Sequence, residues 1–86
     1  MIGQYARSIA GHDNGQLYVI LSIEGKKVTV ADGRLRRVES PKIKNMRHIQ
    51  IAESHVSDEV LDAIVANKAN VNDLIRIAIK QEEKNV

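Results

Sequence analysis

The sequence of 86 residues contains no cysteine, no tryptophan and no phenylalanine, and it has a single proline. The absence of cysteine excludes a disulfide framework, a thiolate zinc site and a cysteine nucleophile, and is typical of proteins of the reducing cytosol. Two tyrosines are the only aromatic residues, so a hydrophobic core must be aliphatic. No apolar run approaches the roughly 18 residues of a membrane-spanning helix, and the first residues lack the basic-then-apolar pattern of a secretory signal. We therefore expect a soluble cytoplasmic protein.

Charge is distributed unevenly along the chain, although the formal net charge is only +2. Residues 1–51 contain nine basic and four acidic side chains, whereas residues 52–86 contain four basic and seven acidic ones. Such an asymmetry indicates a polyanionic partner for the basic half. Because the hydrophobic period changes at the same place, we divide the chain into a first unit, residues 1–52, and a C-terminal extension, residues 53–86.

The first unit is predicted to consist of short antiparallel strands joined by tight turns. Turn-forming residues occur at Gly11–Gly15, at Glu24–Lys26 and at Asp32-Gly33, the last being a two-residue hairpin signal. Alternating apolar and β-branched residues predict strands at Gln4–Ala10, Leu17–Ile23, Lys27–Ala31, Arg34–Glu39 and His48–Ile51. Since an open sheet would leave its edges exposed, this pattern favours a small β-barrel.

The extension is predicted to be a pair of helices. Ser57 is a suitable N-cap for a helix from Asp58 to about Ala66, and Asn70 or Asn72 can cap a second helix that ends near Glu82. The apolar face of the second helix consists of Val71, Leu74, Ile75, Ala78 and Ile79. Ile77 lies outside this face, so it is either a scattered surface residue or a contact with a partner or a second copy. Two short helices are unstable alone and must pack on each other, on the barrel or on a partner.

The segment from Arg34 to Arg47 has the strongest functional signal of the sequence. It contains six of the thirteen basic residues and only one acid. Lysine and arginine side chains bind phosphates, and arginine can also stack on unpaired bases. The alternative is an ordinary solvated basic face. The residues predicted to bind phosphate are Arg34, Arg36, Arg37, Lys42, Lys44 and Arg47, with Arg7, Lys26 and Lys27 widening the positive field.

The turn GHDNG, residues 11–15, is a second and weaker candidate. Its glycines would let the backbone approach a phosphate closely, and His12, Asn14 and Gly15 could add polar or backbone contacts. A turn of this composition is also an ordinary connection between strands. It is not a P-loop, because no Lys-Ser or Lys-Thr pair and no helix follow it.

The sequence gives no catalytic or metal-binding signal, so we expect neither an enzyme nor a cofactor. His12, His48 and His55 do not have the spacing of metal ligands. No serine lies in a nucleophile-elbow pattern, and a barrel this small is filled by its own side chains rather than by a substrate.

The first 51 residues resemble a known family. The run GQYARSIAGHDNGQLYVILSI, residues 3–23, resembles a KOW motif. The continuation VTVADGRLRRVESPKIKNMRHIQI, residues 28–51, is similar to the KOW-domain proteins of the large ribosomal subunit of archaea and eukaryotes, of which small bacterial relatives are known. The family turn usually carries a cation, whereas the turn here has only His12 and Asn14. The extension has no clear counterpart in that barrel.

This resemblance implies an SH3-like β-barrel that binds RNA, often ribosomal RNA, through the turn at residues 11–15 and the segment 34–47. We therefore expect a mainly β protein, with an SH3-like barrel followed by a short helical pair, that binds RNA without catalysis and is associated with the ribosome. The alternative is a protein–protein interaction module of the transcription or translation machinery, which would use the barrel and the amphipathic helices. Neither a membrane nor a small-molecule substrate is expected.

Overall fold

The structure, a computed structural model, describes residues 2–85 and contains five β-strands, one short 3-10 helix and two α-helices. The elements in chain order are β1 Gln4–Ser8, β2 Leu17–Glu24, β3 Lys27–Ala31, β4 Lys42–Asn45, the 3-10 helix Met46–His48, β5 Ile49–His55, α1 Asp58–Ala66 and α2 Val71–Lys84. The predicted class, mainly β with C-terminal helices, is confirmed. Among residues 2–85, neither helix has the length and hydrophobicity needed to cross a bilayer.

The strands form one antiparallel sheet in the order β4-β3-β2-β1-β5. Strands β4 and β5 lie at the two edges and are not hydrogen-bonded to each other, so the sheet does not close into a barrel. The 3-10 helix joins β4 to β5 along the chain. Its Met46 N–H donates to the Lys26 carbonyl in the β2–β3 turn, and its His48 carbonyl accepts from the Ile9 N–H just after β1.

Apolar side chains cover both faces of the sheet, and the beginning of β2 is therefore buried on both sides. On one face Tyr18 and Ile20 pack with Val28 and Val30. On the other face Leu17 and Val19 pack against residues of both helices, including Val60, Ala63, Val71 and Ile75. The helices therefore share a hydrophobic core with the sheet, and β5 itself crosses the charge boundary near residue 52.

The prediction of a strand at Arg34–Glu39 is wrong. This segment is a loop, and the fourth strand begins only after Pro41. The Asp32 carboxylate accepts hydrogen bonds from the Arg34 and Arg36 N–H groups, which folds the backbone back on itself instead of extending it. The Asp32-Gly33 pair therefore begins a long, compact loop between the paired strands β3 and β4 and is not a two-residue hairpin turn. The turn at Glu24–Lys26 does connect two paired strands, as predicted.

The helix boundaries agree closely with the prediction. Ser57 caps α1, its Oγ accepting from the Val60 N–H at 3.5 Å, and the helix ends at Asn67 in a left-handed conformation with φ of 52°. Asn70 precedes α2 without a side-chain cap, whereas Asn72 lies inside the helix and is buried. Ile77 is 47% exposed, consistent with its place outside the apolar face.

Candidate nucleic-acid interface

Two loops emerge at the same end of the sheet. The β1–β2 loop comprises residues 9–16 and the β3–β4 loop residues 32–41. Because β2 and β3 are antiparallel, the start of β2 lies beside the end of β3, with Val19 opposite Ala31. The loops are linked by a hydrogen bond of 3.4 Å from Gln16 Nε2 to Asp32 Oδ2. We call these two loops together the loop end.

The β1–β2 loop is held by a charged network around Asp13. One carboxylate oxygen accepts from Ser8 Oγ and Lys44 Nζ, both at 2.9 Å. The other accepts from Tyr18 Oη at 2.7 Å and pairs with Lys42 Nζ at 3.2 Å. Lys42 and Lys44 lie two residues apart on β4 and therefore project from the same face of the strand. The network joins the loop to an edge strand roughly thirty residues away in sequence.

The network favours an ionised Asp13. Burial, the largest single influence, raises the pKa of Asp13, but the hydrogen bonds from Tyr18, Lys44, Ser8 and Lys42 together outweigh it and hold the pKa well below its usual value. Burial and the adjacent carboxylate raise the pKa of Tyr18, and the charge of Arg36 partly offsets this rise. Tyr18 is therefore neutral and Asp13 charged at physiological pH.

The two lysines of the network differ in what they can offer a ligand. The Lys44 side chain is 8% exposed, and its three N–H groups match three protein acceptors: Ser8 Oγ, the Ala10 carbonyl and Asp13. Lys42 is 27% exposed and contacts only Asp13 among these groups. Lys42 can therefore still bind a phosphate, whereas Lys44 holds the loop in place. The predicted RNA contact of Lys44 stays a prediction.

The β3–β4 loop is held by acceptors within the protein, while its arginines point outward. Besides the two bonds to the Asp32 carboxylate, the Arg36 carbonyl accepts from the N–H groups of Asp32 and Gly33 at 2.9 and 3.1 Å. Arg34, Leu35, Arg36 and Arg37 are all exposed. Arg37 forms a 3.1 Å ion pair with Glu39 in which both side chains are about 60% exposed, so this pair contributes little stability.

Helix α2 also stabilises the β3–β4 loop. The buried amide of Asn72 accepts from the Val38 N–H at 2.9 Å and donates to Glu39 at 2.6 Å. The bond from Asn72, followed by smaller contributions that include Arg37, lowers the pKa of Glu39. Gly33, with φ of +75°, packs directly on the helix, where a Cβ would overlap the Asn72 carbonyl oxygen.

Sequence reasoning missed both supporting residues. The sequence predicts Asn72 as a helix cap and Gly33 as a residue of a hairpin turn. The one signal in the sequence is the position of Asn72 at the border of the apolar helix face, next to Val71 and one turn before Ile75. Nothing in the sequence indicates which loop its amide would meet.

The structure separates the predicted binding residues into two groups. The first lies at the loop end: it comprises Arg34, Arg36, Arg37, Lys42 and Lys44, with His12, Asn14 and Gly15 in the β1–β2 loop. Arg7 belongs to this end as well, since its guanidinium donates to the Gly15 carbonyl at 2.7 Å. The second group lies at and beside the β2–β3 turn, where the bond between Met46 and Lys26 holds the start of the 3-10 helix; the end of that helix reaches the β1–β2 loop through the bond from the Ile9 N–H to the His48 carbonyl. Its members are Lys26, Lys27 and Arg47.

The chemistry available at the loop end is anion binding. Exposed guanidinium groups supply planar donor pairs for phosphate, and His12 and Asn14 are exposed beside them. Among residues 2–85, no cluster of three or more histidine or acidic side chains has the arrangement of a metal site.

Comparison with known proteins gives no match. No protein-family model matches the chain, and a search of curated proteins finds no significantly similar sequence.

Proposed function

We propose that this protein binds RNA through the loop end and has no catalytic activity of its own. The observation that carries the proposal is the β3–β4 loop, which presents Arg34, Arg36 and Arg37 to solvent on a backbone fixed by Asp32 and Asn72. A fixed loop loses little conformational entropy when its arginines bind phosphates.

The proposal includes an SH3-like fold of the KOW type and ribosomal RNA as the target. Its support is the resemblance of residues 3–51, together with five short antiparallel strands and a 3-10 helix between the two edge strands. With only Tyr5 and Tyr18 as aromatic residues, both buried, base stacking on aromatic rings contributes little. The backbone and shape of the RNA then dominate recognition.

The test is the salt dependence of binding to a fluorescent RNA hairpin with an unpaired loop. The triple variant Arg34→Gln/Arg36→Gln/Arg37→Gln removes three charges from the loop end. The matched control Lys26→Gln/Lys27→Gln/Arg47→Gln removes three charges from the β2–β3 turn and the 3-10 helix. Since each lost phosphate contact lowers the salt slope by about 0.7 to 0.9, we expect the first variant to lose about 2 units of slope and the control less than half of that.

Equal losses in the two variants would refute the loop end as the binding surface, and a wild-type protein that does not bind RNA would refute the function itself. The ribosomal part of the proposal is tested by sedimentation of the tagged protein in a lysate of its source. We expect it to migrate with the large ribosomal subunit at low and moderate salt. Migration near the top of the gradient at both salt concentrations would contradict a ribosomal target.

The alternative function, a protein–protein interaction module, is favoured by two exposed apolar side chains on the helices. Val65 on α1 is 73% exposed and Ile77 on α2 is 47% exposed. Ile77 also borders a shallow groove with Val60 and Leu74. Under this alternative, the protein sediments as part of a complex that nuclease treatment does not disrupt. The Val65→Ser/Ile77→Ser variant no longer forms this complex.

A further inference from the structure

We propose that the groove between the β3–β4 loop and α2 binds one unpaired nucleotide of the RNA, so that the helical extension forms part of the interface. This inference rests on the proposed function and deepens it. The groove has a volume of about 460 Å³, within the range of small-ligand sites. Sequence reasoning assigned no role in RNA binding to α2.

Three basic side chains from two separate elements line this groove. Arg34 comes from the β3–β4 loop, while Arg76 and Lys80 lie one helical turn apart on α2 and share a face. Arg76 has a single acidic contact, an exposed pair with Asp73 at 3.4 Å. Three cations around one opening provide the donors that a phosphate and its neighbours in a chain require.

Two acidic side chains also line the groove, so its lining keeps a net charge of one positive unit. The Asp32 carboxylate already accepts from the Arg34 and Arg36 N–H groups and from Gln16, so protein donors occupy it. Glu83 is exposed on α2. Its carboxylate and the Gln16 amide are hydrogen-bonding groups of the kind that bind base edges, which a phosphate site alone would not need.

The groove also has an apolar rim. Leu35 is 80% exposed although it lies between Arg34 and Arg36, and it is the most exposed large hydrophobic residue of the described chain. An aliphatic side chain beside cations can pack on the face of an unpaired base while the cations bind the adjacent phosphates. A base inside a duplex could not reach it, so the groove predicts a preference for unpaired RNA.

The position of the groove is fixed by the contacts that hold the loop to the helix. Gly33 lies against the α2 backbone at Asn72. A Cβ on Gly33 would lie only 2.9 Å from the backbone nitrogen of Arg76. The loop wall and the helix wall therefore meet in direct backbone contact beside the groove. A preformed groove needs no rearrangement when a nucleotide enters.

Two pairs of variants test this inference by binding to the hairpin RNA and to a fully paired duplex. Arg76→Gln/Lys80→Gln is compared with Lys26→Gln/Lys68→Gln, which removes two charges elsewhere. We expect the groove variant to weaken hairpin binding about ten-fold, and its control about three-fold or less. Leu35→Ser is compared with Val65→Ser, which changes a similarly exposed apolar residue on α1. We expect Leu35→Ser to weaken binding about five-fold, and for the hairpin alone.

If each groove variant behaves like its control while wild-type protein still binds RNA, the groove inference is wrong and the proposed function stands. If wild-type protein binds neither RNA, the proposed function is wrong as well. A free nucleoside monophosphate lacks the neighbouring phosphates and should compete only weakly. Tight binding of the monophosphate without RNA binding would identify a small-molecule site and overturn the inference.

Discussion

The β1–β2 loop and the β3–β4 loop lie at the same end of the sheet, yet they use charge in opposite ways. The β1–β2 loop is fixed by ionic contacts, with Lys44 buried against Asp13 and Lys42 beside it. The β3–β4 loop is fixed without a basic side chain, by its own N–H groups on the Asp32 carboxylate and by the Asn72 amide. Its three arginines remain exposed.

This difference shows that basic residues close together in a sequence can have different roles. Arg34–Arg37 and Lys42–Lys44 belong to one basic run, but an acidic residue from another loop binds only the lysines. A cation whose hydrogen-bond donors are used within the protein stabilises the fold, and one whose donors face water can bind a ligand. The two loops can be distinguished by substitutions that affect one and spare the other.

The largest expected effect is that of Asp13→Asn. The change leaves Lys44 buried without its counter-ion, and we expect a loss of about 3 kcal/mol in the free energy of unfolding. Urea denaturation measures it. The control Asp73→Asn, at an exposed ion pair, should cost less than about 1 kcal/mol. Similar losses in the two variants would contradict a structural role for the network.

The same variant changes the pH dependence of stability. Because the pKa of Asp13 is lower in the folded state than in the unfolded state, its stabilising effect is complete above about pH 4 and is lost as the pH falls below that value. Wild-type protein should therefore lose stability on acidification more steeply than Asp13→Asn. Parallel pH profiles would refute the low pKa.

The next effect is that of Gly33→Ala, which places a Cβ against the α2 backbone. Gly25 also has a positive φ, of 57°, but nothing lies within 4 Å of its Cβ position. Gly25→Ala should cost about 1 kcal/mol from backbone strain alone, and Gly33→Ala about 2 kcal/mol in total because of the added clash. Equal costs, measured by urea denaturation, would show that the loop does not pack tightly on α2.

A smaller effect is expected for Asn72→Ala, which leaves the Val38 N–H without its acceptor. We expect a loss of about 1 to 2 kcal/mol in stability and faster hydrogen exchange at Val38, while the β1–β2 loop is unchanged. Asn70 makes no side-chain cap bond, so Asn70→Ala is the matched control and should change little. Unchanged exchange at Val38 in Asn72→Ala would contradict the support from α2.

The smallest effect on stability is expected for Lys42→Gln. Lys42 is partly exposed, and Asp13 keeps its bonds to Lys44, Ser8 and Tyr18, so the cost should be below about 1 kcal/mol. Lys44→Gln should cost clearly more, because it removes the buried partner. If urea denaturation gives the two variants equal stability, the lysines do not differ as proposed.

Local patterns in the sequence predicted much of the fold, and long-range contacts account for the errors. Strand β3 follows from the alternation of apolar and polar residues, and helix α1 follows from the Ser57 cap. Both signals depend only on residues that are close together in the sequence. The strand predicted at Arg34–Glu39 failed because Asp32 binds the N–H groups two and four residues later. The burial of Lys44 depends on Asp13, 31 residues away, and the role of Asn72 on Val38, 34 residues away.

The most direct test of the central claim follows the amide signals of isotope-labelled wild-type protein in nuclear magnetic resonance spectra during titration with the hairpin RNA. No substitution is needed, so altered folding cannot affect the outcome. We expect the largest shifts at residues 34–37 and 12–15, with little change at the β2–β3 turn around Lys26. Shifts concentrated at that turn and at Arg47, with the loop end unaffected, would contradict the claim that the loop end binds RNA.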